Sequence, residues 1–245
     1  MDKWLYWDVT HRHHLFCNPV SAAKVDELGE LLNIGPDSRL LDIGCGMGEL
    51  MIRWSEQHGS SGVGVDLSPY VIEGARRRHA ERLPNADLAW VHSDGAKFAT
   101  DERFDVALCI GASWIWKGFK GTLKALRGFV KPGGLVVLAE PYWREKPEQA
   151  YLEIEGLRRK EFRSLAACRK VARKSGLELV WMMGSTIEDW DRYEMLQAAA
   201  VDRFAREEPD HPDLAAIRKR RAKHDDAYLR WGRDCLGFAT WVFRA

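Results

Sequence analysis

The sequence predicts an α/β protein with a doubly wound, mostly parallel sheet of seven strands. Three observations indicate this fold. Short apolar runs alternate with helix-like segments, the first run ends in closely spaced glycines, and the last run lies near the C-terminus with no helix after it. Because no crossover helix follows that last strand, we expect it to pair antiparallel with its predecessor.

Each predicted strand is an apolar run bounded by turn residues. The seven runs are Arg39–Ile43, Gly62–Asp66, Ala86–His92, Phe104–Ile110, Leu135–Ala139, Leu177–Met183 and Phe238–Phe243. The segments between them have helical spacing, and the first helix is predicted to begin before the sheet, with Asn18 as its N-cap and Pro19 at its first position. The order of strands and helices therefore favours a parallel sheet with crossover helices.

The chain between the sixth and seventh strands is helical in composition and too long for a simple connection. We therefore divide the sequence into an N-terminal arm at residues 1–17, a core at 18–187 and 234–245, and a helical insertion at 188–233. The sixth strand ends, and an antiparallel seventh begins, at the edge of the sheet where ligands of parallel sheets gather. The insertion is accordingly predicted to be a lid.

Composition narrows the class of partner. The chain has 245 residues with 37 Lys and Arg against 36 Asp and Glu, and this balance gives no support to nucleic acid or an anionic membrane as a partner. Its five cysteines are scattered without a C-x-x-C pair, so we expect neither disulfides nor a metal site. No apolar run approaches the length of a membrane span. We expect a cytoplasmic protein with a small-molecule substrate, and the oligomeric state stays open.

A glycine-rich turn follows the first strand. Gly44, Gly46 and Gly48 lack the Cβ that would hold a ligand away from the backbone, and the next helix directs free amide groups at the same place. Asp66 ends the second strand, where an acid can accept hydrogen bonds from ribose hydroxyls. This combination predicts a nucleotide-type ligand.

Four motifs together identify that ligand through a family. The sequence resembles class I, Rossmann-like S-adenosylmethionine-dependent methyltransferases of the bacterial small-molecule type, and the resemblance extends from Leu40 to Val137. The motifs are L-D-I-G-C-G-M-G from Leu41, G-V-D-L-S from Gly64, S-D-G from Ser93 and K-P-G-G from Lys131. Two alternatives remain, an NAD-dependent oxidoreductase and a non-catalytic S-adenosylmethionine-binding protein. The first is disfavoured because Glu49 stands where G-x-G-x-x-G would require glycine.

The resemblance implies a set of contacts along the cofactor S-adenosyl-L-methionine. They are Asp42 near the methionine amino group, Gly44 and Gly46 under the methionine moiety, Asp66 on the ribose, Leu67 beside the adenine, Asp94 and Gly95 at the exocyclic amine, and a main-chain carbonyl of Ile110 or Gly111 at the ligand amine. Each acid also has a plainer interpretation as a strand cap or a turn residue.

Methyl transfer by in-line displacement depends mainly on positioning, and a base is needed only when the acceptor arrives protonated. The candidates for catalysis are His14, Glu140 and Tyr142. Glu140 is equally compatible with an ordinary role at a strand end. For His14 and its neighbours His11 and His13, a surface location is the commonest interpretation, ahead of a catalytic role for His14 and of metal binding.

Aromatic residues follow the fourth and fifth strands and predict the acceptor pocket, formed by Trp114, Trp116 and Trp143. The rings either wall an apolar pocket, which is favoured, or attract a cationic group. Nucleic-acid amino methyltransferases of this fold carry N/D-P-P-Y/F after the fourth strand, and Ile110–Ser113 does not match it. The acceptor is therefore predicted to be a small molecule whose reacting atom the sequence leaves open.

Overall fold

The computed structural model describes residues 3–245, and the chain divides into two compact units. The first, here called the sheet unit, comprises residues 21–141, 164–184 and 238–245. The second, here called the helical unit, comprises residues up to 20 together with 142–163 and 185–237. The chain passes from one to the other several times, and each unit has its own core.

The sheet has seven strands in the order β3-β2-β1-β4-β5-β7-β6. The strands are β1 (Arg39–Ile43), β2 (Ser61–Asp66), β3 (Leu88–His92), β4 (Phe104–Ile110), β5 (Val130–Trp143), β6 (Glu178–Gly184) and β7 (Leu236–Arg244). Strands β1 to β5 pair in parallel, whereas β6 and β7 are antiparallel. The predicted fold class is confirmed.

Nine helices of seven or more residues are present within residues 3–245. They are α1 (Lys3–His11), α2 (Ala22–Leu31), α3 (Glu49–His58), α4 (Pro69–Arg82), α5 (Phe119–Arg127), α6 (Gln149–Glu155), α7 (Leu165–Lys174), α8 (Ile187–Glu207) and α9 (Leu214–Ala227). Short helical turns lie at Ser113–Trp116, Tyr228–Gly232 and Arg233–Cys235. None of the helices described is both long and apolar enough to cross a bilayer.

The register of the central strands determines where the functional side chains lie. Asp42 of β1 is aligned with Gly64 of β2 and with Leu108 of β4. These strands are apolar and almost completely buried, as expected for a parallel sheet covered on both faces. Their parallel direction brings the loops that follow β1, β2 and β4 to one edge of the sheet unit.

The start of α2 differs from the prediction, which placed the N-cap at Asn18. The amide of Val20 instead donates to the carbonyl of Asn18 at 2.8 Å, so the chain turns before the helix begins. Ser21 is the N-cap, and its hydroxyl accepts a hydrogen bond from the amide of Lys24. Ser21, which is closer than Asn18 to the apolar residues of the helix, was therefore the better indicator of the helix start.

Strand β5 is longer than the predicted run Leu135–Ala139 and begins at Val130. Its pairing with β4 is irregular, because Phe104 aligns with Val130 whereas Val106 aligns with Leu135. The Pro-Gly-Gly sequence forms a bulge within the strand rather than ending the element before it.

The helical unit has a separate apolar core. Helix α1 packs against α8, and the cluster between α1, α8 and α9 contains Tyr6, Val9, Val201, Phe204, Ala205, Leu214 and Ile217. The predicted N-terminal arm therefore contains a helix, over Lys3–His11, that belongs to this unit. The lid role of residues 188–233 stays a prediction.

Candidate active site

The glycine turn after β1 is held against the end of β2. The amides of Gly44 and Cys45 both donate to the carbonyl of Val65, at 2.8 and 3.1 Å. Gly44 and Gly46 have φ angles of +82° and +55°, in the left-handed region that favours glycine. The turn consequently brings bare backbone to the edge of the sheet.

Two glycines of this turn have different surroundings. A Cβ on Gly44 would lie 2.6 Å from the Cβ of Ala112, so the packing of Ala112 leaves no room for a side chain at this position. A Cβ on Gly46 would meet nothing within 4 Å. The backbone at Gly46 therefore borders open space, which is the property of a cradle for a ligand.

Asp66 accepts hydrogen bonds from the turn that follows β1 and from the turn that follows β2. Its Oδ2 accepts a hydrogen bond from the amide of Gly46 at 3.0 Å, and its Oδ1 accepts one from the amide of Ser68 at 2.9 Å. Each carboxylate oxygen has a second lone pair, so both can still accept a hydrogen bond from a ligand hydroxyl. Two backbone amides of the protein thus hold the side chain in place.

Asp42 lies near the carboxyl end of β1, and it is buried, with only 4% of its surface exposed. Its Oδ1 has no hydrogen-bond partner among residues 3–245. Burial, reinforced by the charge of Asp66, raises the pKa of Asp42 to about 7. Burial also raises the pKa of the neighbouring thiols of Cys45 and Cys109, with Asp42 adding to both shifts. A cationic ligand would relieve this accumulation of negative charge.

The other predicted cofactor residues lie in the loops after β2, β3 and β4. Asp94 accepts a hydrogen bond from the amide of Ala96 at 2.9 Å through its Oδ1. Leu67 is 45% exposed, and its carbonyl accepts a hydrogen bond from a ring nitrogen of His92. The remaining predicted positions are Gly95, Ile110 at the end of β4, and Gly111 directly after it. The sheet unit thus contains all nine predicted cofactor residues.

The predicted acceptor residues are divided between the two units. Trp114 and Trp116 lie in the helical turn after β4, in the sheet unit, and Trp114 is 67% exposed. Tyr142 and Trp143 belong to the helical unit. The indole N–H of Trp143 donates to the carbonyl of Arg159 at 2.8 Å, and its ring is buried. Trp143 therefore has a packing role within its own unit.

Glu140 and Tyr142 lie near the carboxyl end of β5. Glu140 is buried in the sheet unit, 1% exposed. The ring of Tyr142 covers Gly237, where a Cβ would come within 2.3 Å of it. Gly237 is therefore needed for this ring to take its position.

The prediction of surface histidines is correct for His13 but wrong for His11 and His14, which are buried. His14 donates through Nε2 to the carbonyl of Tyr193 at 2.9 Å, because a carbonyl can only accept. Nδ1 of His11 lies 3.1 Å from the carbonyl of Trp7 and 2.9 Å from the hydroxyl of Thr10. The carbonyl can only accept, and the hydroxyl proton of Thr10 goes to the carbonyl of Tyr6 at 2.8 Å, so Nδ1 of His11 is a donor. Burial lowers the pKa of His11 to about 3, so its ring is neutral and Nε2 accepts the hydroxyl proton of Tyr193 at 2.9 Å.

The helical unit contains a cavity of about 450 Å³ that was not expected from the sequence. Its lining combines aromatic rings with charged and amide groups. The lining residues are Tyr6, Trp7, His11, Tyr151, Glu155, Trp190, Tyr193, Glu194, Gln197, Arg220, Arg221, His224 and Tyr228. One signal was available in the sequence, because Trp190, Tyr193, Glu194 and Gln197 recur at the spacing of a single helix face.

A buried arginine organises one wall of this cavity. Arg221 is 4% exposed and donates to Asp225 at 2.8 Å, to Gln197 at 2.7 Å and to Glu194 at 2.9 Å. Burial nevertheless raises the pKa of Glu194, with Glu155 contributing in the same direction. The protein therefore stabilises the ionised carboxylate of Glu194 incompletely, even though Arg221 is bonded to it.

Comparison with protein families gives one match to the sheet unit. Residues 40–134 match the family described as "Methyltransferase domain". This segment contains the glycine turn and the loops after β2, β3 and β4. The match therefore covers the region in which the geometry places the candidate cofactor site.

Three full-length relatives extend the similarity beyond that segment. The Escherichia coli protein described as "Uncharacterized protein YjhP" is 31% identical over 247 residues, covering 100% of both chains. A SAM-dependent methyltransferase from Thiobacillus denitrificans is 30% identical, with a TM-score of 0.92 over 100% of this chain and 99% of the other. One from Geobacter sulfurreducens is 28% identical, with a TM-score of 0.92 over 98% and 97%. Both were crystallised with S-adenosyl-L-homocysteine.

Proposed function

We propose that this chain, which belongs to the S-adenosylmethionine-dependent methyltransferases and uses S-adenosyl-L-methionine as its cofactor, transfers the methyl group to a small molecule. The observation that carries this proposal is the cavity of about 450 Å³ in the helical unit. Pockets for small organic ligands have volumes of roughly 300–1,000 Å³, with aromatic walls and a few polar groups. The near-zero net charge of the chain gives no support to a nucleic-acid acceptor.

The residues of the sheet unit fit the cofactor by two properties. Asp42 has a buried oxygen without a partner among residues 3–245, which suits the positive charge of the ligand, and Gly46 leaves open space beside bare backbone. We propose that Asp42 holds the amino group, that Gly44 and Gly46 lie under the methionine moiety, and that Asp66 binds the ribose hydroxyls. The adenine would lie between Leu67 and the pair Asp94 and Gly95, with Ile110 or Gly111 offering a carbonyl to the ligand amine.

Methyl transfer asks the protein mainly for placement. The cofactor supplies an activated methyl group on a sulfonium, and the protein must hold the acceptor atom about 3–3.5 Å away and exclude water. Placement of this kind lowers barriers by roughly 7–11 kcal/mol. The hydrogen bonds of Asp66 and of the glycine turn would fix the donor side of this arrangement, because they join groups of the protein itself.

For the three candidate catalytic residues we propose separate roles. Glu140, buried at the end of β5, would accept a proton or orient the acceptor. Tyr142 would offer its hydroxyl to the acceptor, and Trp114, Trp116 and Trp143 stay predicted as aromatic walls. His14 would position Tyr193 through the hydrogen bond to its carbonyl, and its action as a base stays a prediction.

A cytoplasmic location also belongs to this proposal. None of the five cysteines forms a disulfide within residues 3–245, and three of them, Cys109, Cys168 and Cys235, are buried. Cysteines without disulfide bonds are typical of reducing compartments. Fractionation of cells that express the tagged protein would test the location, and a periplasmic or membrane fraction would contradict it.

Replacing Gly46 with alanine tests the cradle. The new methyl group meets open space in the free protein, so the expected cost to folding is the left-handed backbone strain of about 1–2 kcal/mol. It would occupy the space proposed for the methionine moiety, so donor affinity should fall at least about tenfold. Calorimetric titration with S-adenosyl-L-homocysteine and thermal unfolding measure the two effects.

Gly44→Ala is the matched control, since it imposes a similar backbone strain but directs its Cβ at Ala112. Its unfolding free energy should fall further than that of Gly46→Ala. Donor affinity that is unchanged in Gly46→Ala would contradict the placement of the ligand against this turn.

The proposed function is tested by supplying S-adenosyl-L-methionine with a labelled methyl group and a panel of amines, phenols, thiols and carboxylic acids. Labelled small-molecule product is the expected result. Transfer to RNA, DNA or protein without any labelled small molecule would overturn the proposal. Donor binding without turnover across the panel would favour the non-catalytic alternative.

A further inference from the structure

We propose that the cavity of the helical unit binds an amine-bearing small molecule as its ammonium ion. Three features of the lining support an ammonium ligand: its aromatic rings, the direction of its hydrogen bonds and its arrangement of charge.

The first feature is the aromatic lining, to which six Tyr and Trp side chains contribute. Ring faces attract cations, most strongly where water is excluded. One ring of the cavity already does so, because the guanidinium of Arg220 lies 3.9 Å from the ring centroid of Tyr6. Trp190 packs edge-on against Tyr193 and roughly parallel to Tyr228, so these three rings form one continuous wall.

The second feature is the direction of the tyrosine hydrogen bonds. Tyr228 donates its hydroxyl proton to Asp191 at 2.7 Å, and Tyr193 donates its own to the neutral ring of His11. Both hydroxyl oxygens keep lone pairs and have no further proton to donate. They therefore recognise ligands that bring N–H or O–H donors.

The hydroxyl of Tyr6 adds a polar atom that the protein itself leaves unsatisfied. It is buried and has no hydrogen-bond partner among residues 3–245, although Tyr6 lines the cavity. A buried polar atom without a partner is unfavourable, and a bound ligand that supplies one would remove that cost.

The third feature is the arrangement of charge. Arg221, the buried arginine of the cavity lining, is already bonded to Glu194 and Asp225, so it is neutralised within the protein. Glu194 uses only Oε2 in that contact and keeps its other oxygen for another donor. Arg220 is exposed, where solvent screens its charge. An anionic ligand would therefore meet the negative charge of Glu194, whereas one arginine of the lining, Arg221, is neutralised and the other, Arg220, is screened.

Glu155 lies in the same lining and accepts a hydrogen bond from Nδ1 of His224 at 2.9 Å. With Glu194 it places two carboxylates beside the aromatic wall. An ammonium group has only donors and a positive charge, so it matches carboxylates, acceptor hydroxyls and ring faces together.

Three matched probes test this inference by calorimetric titration of the full-length protein. Tyramine carries an ammonium group, tyrosol replaces it with a hydroxyl, and 4-hydroxyphenylacetate replaces it with a carboxylate. Tyramine should bind at least about tenfold more tightly than tyrosol, since hydrogen bonds to charged groups are the stronger ones. Tighter binding of 4-hydroxyphenylacetate, or no binding of any of the three, would overturn the inference.

Variants assign the binding to the cavity. Glu194→Gln should weaken tyramine binding about ten- to hundredfold and leave tyrosol binding nearly unchanged, because only the charge-assisted contact is lost. Glu207→Gln, on the exposed end of the same helix, should leave both unchanged. Because Glu194→Gln removes a partner of buried Arg221, Trp7→Ala provides a second variant at a wall residue that is 39% exposed. Tyramine affinity equal to wild type in either variant would overturn the inference.

Discussion

Asp66→Ala is expected to weaken binding of S-adenosyl-L-methionine at least about 100-fold, because the two charge-assisted hydrogen bonds that we propose to the ribose, each worth about 1.5–3 kcal/mol, would be lost. The carboxylate would no longer accept from the ribose hydroxyls. It would also release the amide of Gly46, which it holds at 3.0 Å, so the glycine turn would lose its preset position. The loss should appear in calorimetric titration with the donor and with S-adenosyl-L-homocysteine.

Two controls separate binding from folding in this experiment. Asp66→Asn keeps an oxygen that can accept from one backbone amide, so its donor affinity should lie between those of the alanine variant and the wild type. Asp101→Ala removes an exposed acid of the same unit and should leave affinity unchanged. If Asp66→Ala folds and binds the donor as tightly as wild type, the ribose is held by other groups.

Asp42→Asn is expected to stabilise the free protein above pH 7 while it weakens donor binding. The folded state raises the pKa of Asp42 from 3.8 to about 7, so the folded protein holds this proton more tightly than the unfolded chain does. Stability of the wild type therefore falls as the pH rises from about 4 to about 7, and the cost of ionisation is complete above that range. The asparagine variant avoids that cost, which is on the order of 2–4 kcal/mol.

The measurement is thermal unfolding of both proteins between pH 5 and pH 8. The difference in unfolding free energy should grow with pH, and added donor should reduce it, because the ligand's positive charge stabilises ionised Asp42 in the wild type alone. Donor affinity of the wild type should itself decline as the pH falls below about 7. A variant that is destabilised equally at every pH would contradict the role of this buried charge.

The sheet was predictable because its signals are local. The run Arg39–Ile43 ends in glycines, and its bounds in the structure are the predicted ones, as they are for Phe104–Ile110. Parallel strands are buried on both faces, so each appears in the sequence as a continuous apolar segment. The antiparallel pairing of β6 with β7 followed from chain order alone and is confirmed.

Errors in the prediction arose where a residue's role depends on distant neighbours. Asn18 is a good N-cap by composition, but the turn at Val20 assigns that role to Ser21. His11 and His14 are polar and close to the N-terminus, which is typical of surface residues. Their burial is determined by Tyr193, about 180 residues away in sequence, which bonds to both.

The sequence by itself determined the α/β class, the family and the positions of Asp42, Gly46 and Asp66, because these residues follow directly on strands whose pattern is local. Only the tertiary structure decided that Asp42 has a raised pKa and that the helical unit contains an aromatic cavity around Arg221. Burial and hydrogen-bond partners arise when segments distant in sequence pack together. The charge and the donor or acceptor state of a side chain are therefore properties of the folded chain.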